Sequence, residues 1–378
     1  MVNRRTLMQG IGAMAAFYAA RLPAKVDPSY GRARYDKAMV IDALGGIGRP
    51  DPNGPNDAPM SADDLADARE SGVTAINLTI NDVGNGPARF EAAVTNIAEM
   101  DHEMELHPDF LMPIHRAADL QVAKSSHRLG IIYGCQDTTM LEGDLKKLSV
   151  FADLGVRIVQ PTYNVRNLMG DGCIEKADGG LSKLGYEFVA EMNRLKLLLD
   201  LSHAGPRTIA EGIANSKAPM AITHTGCRAL VDVPRNTYDK ELKALGDRGG
   251  VAGIYFMPFL REEGVQPHAE DLIRHIEHAV NVAGEDHVGL GTDGSISATP
   301  LTEPFLASFR KQVEARQKAG YSAPGENPNV PLVIPEYNQP LRFSRLADDL
   351  SRRGWPASRI DKILGANFAR LFTSVWGA

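Results

Sequence analysis

The sequence predicts an α/β protein built as a single (β/α)8 barrel, and two observations carry that prediction. Eight short apolar runs recur along the 378 residues, and helical stretches alternate with them. The fifth and sixth runs also form a βαβ unit in which each run ends on a histidine. Leu197-Leu198-Leu199-Asp200-Leu201 leads into Ser202-His203-Ala204-Gly205, and Ala218-Pro219-Met220-Ala221-Ile222 leads into Thr223-His224-Thr225-Gly226. Residues 207–215 between them read as a helix, with Ile209 and Ile213 four apart on one face. Such a crossover makes the two strands parallel, so both imidazoles emerge at the sheet edge where α/β barrels carry their chemistry. A doubly wound open sheet would more often place its site at a switch point.

The elements follow in order. Residues 38–43 form the first buried strand, and a Gly/Pro/Asn-rich loop follows over 45–59. Ser61 starts a helix, with Asp64 placed for a capping box. Residues 75–80, 129–134 and 157–162 read as strands two to four, interleaved with helices over 90–104 and 144–154. A glycine-rich loop, 170–180, and a helix over 186–195 lead to the two histidine strands. Residues 251–256 and 288–291 are strands seven and eight, separated by an amphipathic helix over 269–282. Residues 321–340 are proline-rich and without periodicity, which predicts an excursion over the barrel. Helices over 341–353 and 361–373 close the chain.

Composition narrows the function. Hydrophobic residues make up 43% and charged residues 23%, as expected of a globular chain with a large core. The net charge of −6, with no basic stripe, argues against a nucleic-acid partner. Cys135, Cys173 and Cys227 are too few and too scattered for a disulfide framework or a cysteine zinc site; one disulfide plus a free thiol stays open. At the amino end Arg4-Arg5 precedes a small, modestly apolar run over 11–20, the layout of a twin-arginine export signal. The domain reading is therefore 1–24 as signal and 25–378 as barrel, with the bacterial periplasm as destination. The apolar run is too short to span a bilayer, so no stable membrane anchor is expected after signal removal. A homodimer is left open.

Paired strand-end histidines suit a metal, because neutral imidazole is a good zinc ligand. Asp293, at the end of the eighth strand, faces the same opening and suits either a ligand or a general base. Arg235, beyond the sixth strand, suits a bidentate hold on a substrate carboxylate. Residues 289–294 match G-x-G-x-x-G literally, but no helix or ribose-binding acid follows at the needed distance. His275 and His278, three apart on a helix, and His102, His107, His115 and His127 read as solvated.

Longer motifs carry a family resemblance. Gly155-Val156-Arg157, Asn164, Gly170-Asp171-Gly172 and Gly185 are followed by Glu191-Met192-Asn193-Arg194-Leu195 and Asp200-Leu201-Ser202-His203. His224, Arg228-Ala229-Leu230, Pro234-Arg235-Asn236, Gly291-Thr292-Asp293 and Gly365-Ala366-Asn367-Phe368 continue in order. In these the chain resembles the renal (membrane) dipeptidase family, two-zinc peptidases of the metallo-dependent-hydrolase type of barrel. The resemblance implies that His203 and His224 serve the second metal, that Arg235 holds the substrate carboxylate, and that Asp293 is the catalytic aspartate. Elsewhere the pattern departs. The family's first-strand His-x-Asp pair falls on Leu44 and Gly46, the bridging glutamate on Gln136, and a substrate-binding histidine on Tyr163 beside Asn164. Neither Leu44 nor Gly46 offers a donor, and a neutral amide cannot offset two dications.

The sequence therefore points to a divergent exported hydrolase of a dipeptide or small amide-like anionic substrate. Its expected site is Asp293 and Tyr163 as catalytic groups, Arg235 and Asn164 on the substrate, and His203, His224 and Gln136 holding at most one zinc, weakly. Two other readings remain: non-hydrolytic acid/base chemistry on the same barrel, and a metal-free barrel that binds a peptide-like ligand.

Overall fold

A computed structural model describes residues 29–50, 59–84 and 86–377. The export segment read over 1–24 lies outside them. Eleven strands are described: β1 (Ile41–Asp42), β2 (Gly45–Gly46), β3 (Ala75–Thr79), β4 (Leu111–Pro113), β5 (Leu129–Cys135), β6 (Val156–Val159), β7 (Leu198–Leu199), β8 (Ala221–Thr225), β9 (Val251–Ile254), β10 (Val288–Leu290) and β11 (Gly294–Ser295). Every pairing is parallel. One ladder runs β1-β3-β5-β6-β7 and a second β8-β9-β10.

Two seams join the ladders into a ring of eight strands. At one, Leu201 N donates to Ala221 O at 2.8 Å, beside a parallel bridge between Asp200 and Ala221. At the other, Ala43 N donates to Leu290 O at 3.0 Å, and the β2–β11 pair continues the contact toward the mouth. The close approach of β2 and β11 explains Gly45: a Cβ there would lie 2.6 Å from Asp42 Oδ2 and 3.0 Å from Gly294 O.

Period-two alternation sorts the strand residues, as the pleat requires. Ile41, Ala43, Ala75, Ile132, Ile158, Leu198, Ala221 and Val251 pack with Phe368, Leu371, Phe372, Val375 and Trp376 of the helix Asn367–Trp376. Their strand neighbours Val40, Ile76, Ile131, Tyr133, Val159, Leu197, Leu199, Ile222 and Ala252 belong to the other apolar cluster, with the outer helices. The helix Asn367–Trp376 thus packs on the inward-facing layer. Asn367 Nδ2 ties its start to Val288 O at 2.8 Å, and the ring of Phe372 stacks on Trp376 with centroids 4.2 Å apart. Gly365 lets the preceding turn approach β1, since a Cβ there would sit 2.6 Å from Met39 O. Two residues further along the inward face the chain turns polar: Asn77, Gln160, Asp200 and Thr223 are all buried.

Most predicted elements appear within a few residues of their expected bounds, and the Ser61–Asp64 capping box forms. Three of the longer helices went unread, Ala118–Ser126, Asp239–Asp247 and Glu303–Ala319, as did the short Arg32–Tyr35 and Ala357–Asp361. The helix Glu303–Ala319 has buried Phe309 and Val313 on one stripe, with charged residues interspersed among small, polar and other apolar ones over the rest, a weak amphipathic signal. The excursion over 321–340 holds only the single turn Pro335–Tyr337 and docks through its Tyr321 carbonyl, which accepts from Asn164 Nδ2 at 3.1 Å. His275 corrects the reading of solvated histidines: it is buried, and its Nδ1 accepts from Cys227 N at 2.9 Å. The three cysteines are free and buried.

Candidate active site

His203 follows β7 and His224 lies in β8, and the fold brings their Nε2 atoms to 2.8 Å. The outer nitrogens fix both tautomers. Asn164 spends its amide nitrogen on Tyr321 O, so its Oδ1 faces His203 Nδ1 at 2.7 Å and accepts from it. Thr223 Oγ1 donates to Asp200 Oδ2 at 2.6 Å, which leaves its lone pair for His224 Nδ1–H at 2.9 Å. Both Nε2 lone pairs therefore look toward one another. Desolvation by burial, reinforced by the Arg235 charge, holds both imidazoles well below the usual histidine range, so both are neutral near pH 7.

Asp200 is the support beneath the pair. Its carboxylate accepts from Ser202 N (3.0 Å), Ser202 Oγ (2.7 Å), Thr223 N (2.9 Å) and Gln160 Nε2 (2.8 Å) in addition to Thr223 Oγ1. It spans the seam where the β7–β8 ladder is interrupted. The second seam repeats the device: Asp42 accepts from Thr292 N at 2.8 Å and Thr292 Oγ1 at 2.6 Å. Thr223 precedes His224 and Thr292 precedes Asp293, so each aspartate–threonine clamp sets the residue that follows. Burial raises both carboxyls, Asp42 to about 7. Sequence reasoning missed this pattern, whose trace is a strand-end aspartate (Asp42, Asp200) and a threonine directly before His224 and before Asp293.

Asp293 N donates to Leu44 O at 2.8 Å, which places Asp293 at the mouth. Desolvation pushes its carboxyl up to about 6, against the pull of Arg235 and with the added push of Glu326 from the excursion. Arg235 is buried; its Nη2 lies 3.3 Å from His203 Nε2 and donates to His224 O at 3.3 Å. Its guanidinium also lies over the Tyr255 ring, 5.6 Å from the centroid. Tyr163 stacks on His203 with centroids 4.0 Å apart, and burial holds its phenol protonated. His203 and Asp293 both take left-handed backbone angles, φ 61° and 54°. For non-glycine residues this conformation costs on the order of 1–3 kcal/mol, and such strain concentrates at functional sites.

The predicted groups His203, His224, Arg235, Asn164, Tyr163 and Asp293 are thus linked by direct contacts or by charge. Gln136 stands at the end of β5, its Nε2 donating to Thr79 Oγ1 at 2.8 Å and its Oε1 buried without a partner among the described residues. A metal pair does not fit this donor set. Leu44 and Gly46 supply nothing, and no group of three or more His, Cys, Asp or Glu side chains is arranged for a metal among the described residues. The inner nitrogens of His203 and His224, their outer N–H groups anchored as those of ligand histidines are, are the donors this site offers a cation, with Arg235 Nη2 also lying against that of His203.

An eight-stranded parallel barrel with histidines, an arginine and an aspartate at the ends of its strands defines an amidohydrolase-like enzyme. The model of the membrane dipeptidase family (peptidase family M19) matches residues 54–302, and the chain belongs to that family, which places it among the hydrolases. An amidohydrolase of Pseudomonas aeruginosa is 34% identical, with a TM-score of 0.77 over 91% of this chain and 98% of that one. Dipeptidase AC, a metallopeptidase of the same family, shares the fold at a TM-score of 0.71 and 21% identity over 90% of this chain and 100% of its own. The dipeptidase tcpJ of Claviceps purpurea is 32% identical over 193 residues, 50% of this chain and 45% of that protein, so the match spans under half of that relative.

Proposed function

We propose that the protein hydrolyses a dipeptide or a small amide bearing a carboxylate, with at most one weakly held divalent metal. The observation that carries this reading is Arg235, whose guanidinium touches His203 and the His224 backbone and draws on the Asp293 carboxyl. Arg235 holds the substrate carboxylate, which sets the amide against Asp293. Above about pH 6 Asp293 is ionised and takes a proton from the attacking water. Protonated, it returns that proton to the leaving amine. The Tyr163 phenol, held protonated by burial, donates to the developing oxyanion. His203 and His224, with Gln136 Oε1, would hold the metal, which when bound polarises the carbonyl and lowers the pKa of a bound water.

The test is metal analysis of protein purified without chelators, run beside a dipeptide hydrolysis assay. The expected result is no more than one zinc per chain, lost on mild chelation without unfolding, and measurable turnover. Two tightly held zinc ions, or no turnover of any dipeptide with or without added metal, would overturn it. Export to the periplasm is part of the same reading and rests on Arg4-Arg5 and the apolar run after it. Replacing both arginines with lysine should leave the precursor in the cytoplasm; normal processing of that variant would remove the argument.

A further inference from the structure

Asp293 borders a second space that the chemistry above does not use. A cavity of about 260 Å³ opens between the barrel mouth and the helix Glu303–Ala319. Asp293 forms part of its wall; Phe305, Phe309, Leu332 and Pro50 supply the apolar lining, and Gln312 also borders it. Phe305 and Phe309 are four apart on one helix face. Phe309 is buried, whereas Phe305 is only half-buried. Ser295 and Thr299 border it as well, but water against the two rings and Leu332 finds few partners, so displacing it there with an apolar group is favourable. The two rings and Leu332 lie beyond residue 302, where the family match ends, so this lining is supplied by the helix Glu303–Ala319 and the excursion rather than by the matched segment.

We propose that this cavity is a specificity pocket for an apolar side chain, of leucine to phenylalanine size, on the acyl side of the scissile amide. The proposal rests on the hydrolase reading. Arg235 and the two histidines do not line the cavity, and Asp293 is where the two regions meet. A substrate with its carboxylate on Arg235 and its amide at Asp293 has its other residue left to enter the cavity. Glycine leaves the pocket wet, and an acidic side chain is desolvated there beside the Asp293 carboxylate without a counter-ion.

The test measures kcat/KM for Gly-Gly, Ala-Gly, Leu-Gly and Phe-Gly, and in parallel the rise in Tm that each dipeptide gives the full chain. Leu-Gly and Phe-Gly are expected to exceed Gly-Gly by roughly ten- to a hundred-fold in kcat/KM, the discrimination usual for an apolar pocket. Leu332→Trp, which fills the cavity, lowers that ratio about tenfold. Phe305→Ala, which enlarges it, moves the optimum toward Phe-Gly. Equal turnover of all four, with equal Tm shifts, overturns the pocket and leaves the hydrolase reading standing. No turnover, but a larger Tm rise with Leu-Gly that Leu332→Trp abolishes, supports the pocket and overturns the hydrolase reading. Should Leu332→Trp fail to fold, the wild-type series and Phe305→Ala decide the matter.

Discussion

Asp293 shows how one residue combines strain with chemistry. Its backbone sits in the left-handed region and its carboxyl is desolvated, so two unfavourable terms are tolerated at one position. As a base it works only when ionised, so activity should rise with pH through about 6 and level off above it. Asp293→Asn should lower kcat by about 10²- to 10⁴-fold, and that pH limb should vanish from the residual rate. Initial rates from pH 4.5 to 8.5 on both proteins check this. His203, His224, Asp293 and Arg235 were legible in the sequence because strand ends mark a barrel's mouth and the family motifs surround them. Asp42 and Asp200 were not, because a buried aspartate has meaning only when the neighbouring strand's threonine is known. His275 was misread for a related reason: a helix face reads as solvated until its packing partner is known.

At the scale of elements, the seams carry the main lesson. The order of strands and helices follows from apolar runs, but nothing local says where a ladder is interrupted or what bridges it. The helix Glu303–Ala319 escaped notice because its apolar stripe is narrow and borrows its partners from distant segments. The Asp42–Thr292 clamp makes a prediction about stability. The carboxyl of Asp42 titrates near 7 in the folded state and near 3.9 when unfolded, so between those values the folded chain keeps a proton that the unfolded chain has lost. This contribution is full below about pH 4 and declines as pH approaches 7. Asp42→Asn removes the titration, so its urea midpoint should fall less between pH 5 and pH 8 than the wild-type midpoint does. Identical slopes would mean that Asp42 does not titrate in this window.

For the whole molecule, the barrel depends on the helix Asn367–Trp376 packed on its inward-facing layer. Phe372 is fully buried against Ile41-type inward residues and against Trp376, so Phe372→Ala should cost about 3–5 kcal/mol. Equilibrium urea denaturation measures that loss, and a change under 1 kcal/mol would show that the layer repacks around the gap. The closed ring was readable from eight apolar runs, but its inner plug was not, because the amphipathic pattern of the last helix does not say which surface it covers.

That arrangement also orders events in time. The first strand closes on Leu290, and the inward face of the barrel is covered by residues 368–376, both distant in sequence from Ile41. Contacts so far apart are entropically costly to form early, and they reward the chain only once most of it is present. During synthesis the early strands must wait, with apolar faces uncovered, for partners that emerge from the ribosome much later. A holding chaperone would therefore matter more for this chain than for a protein of equal size built from neighbouring contacts.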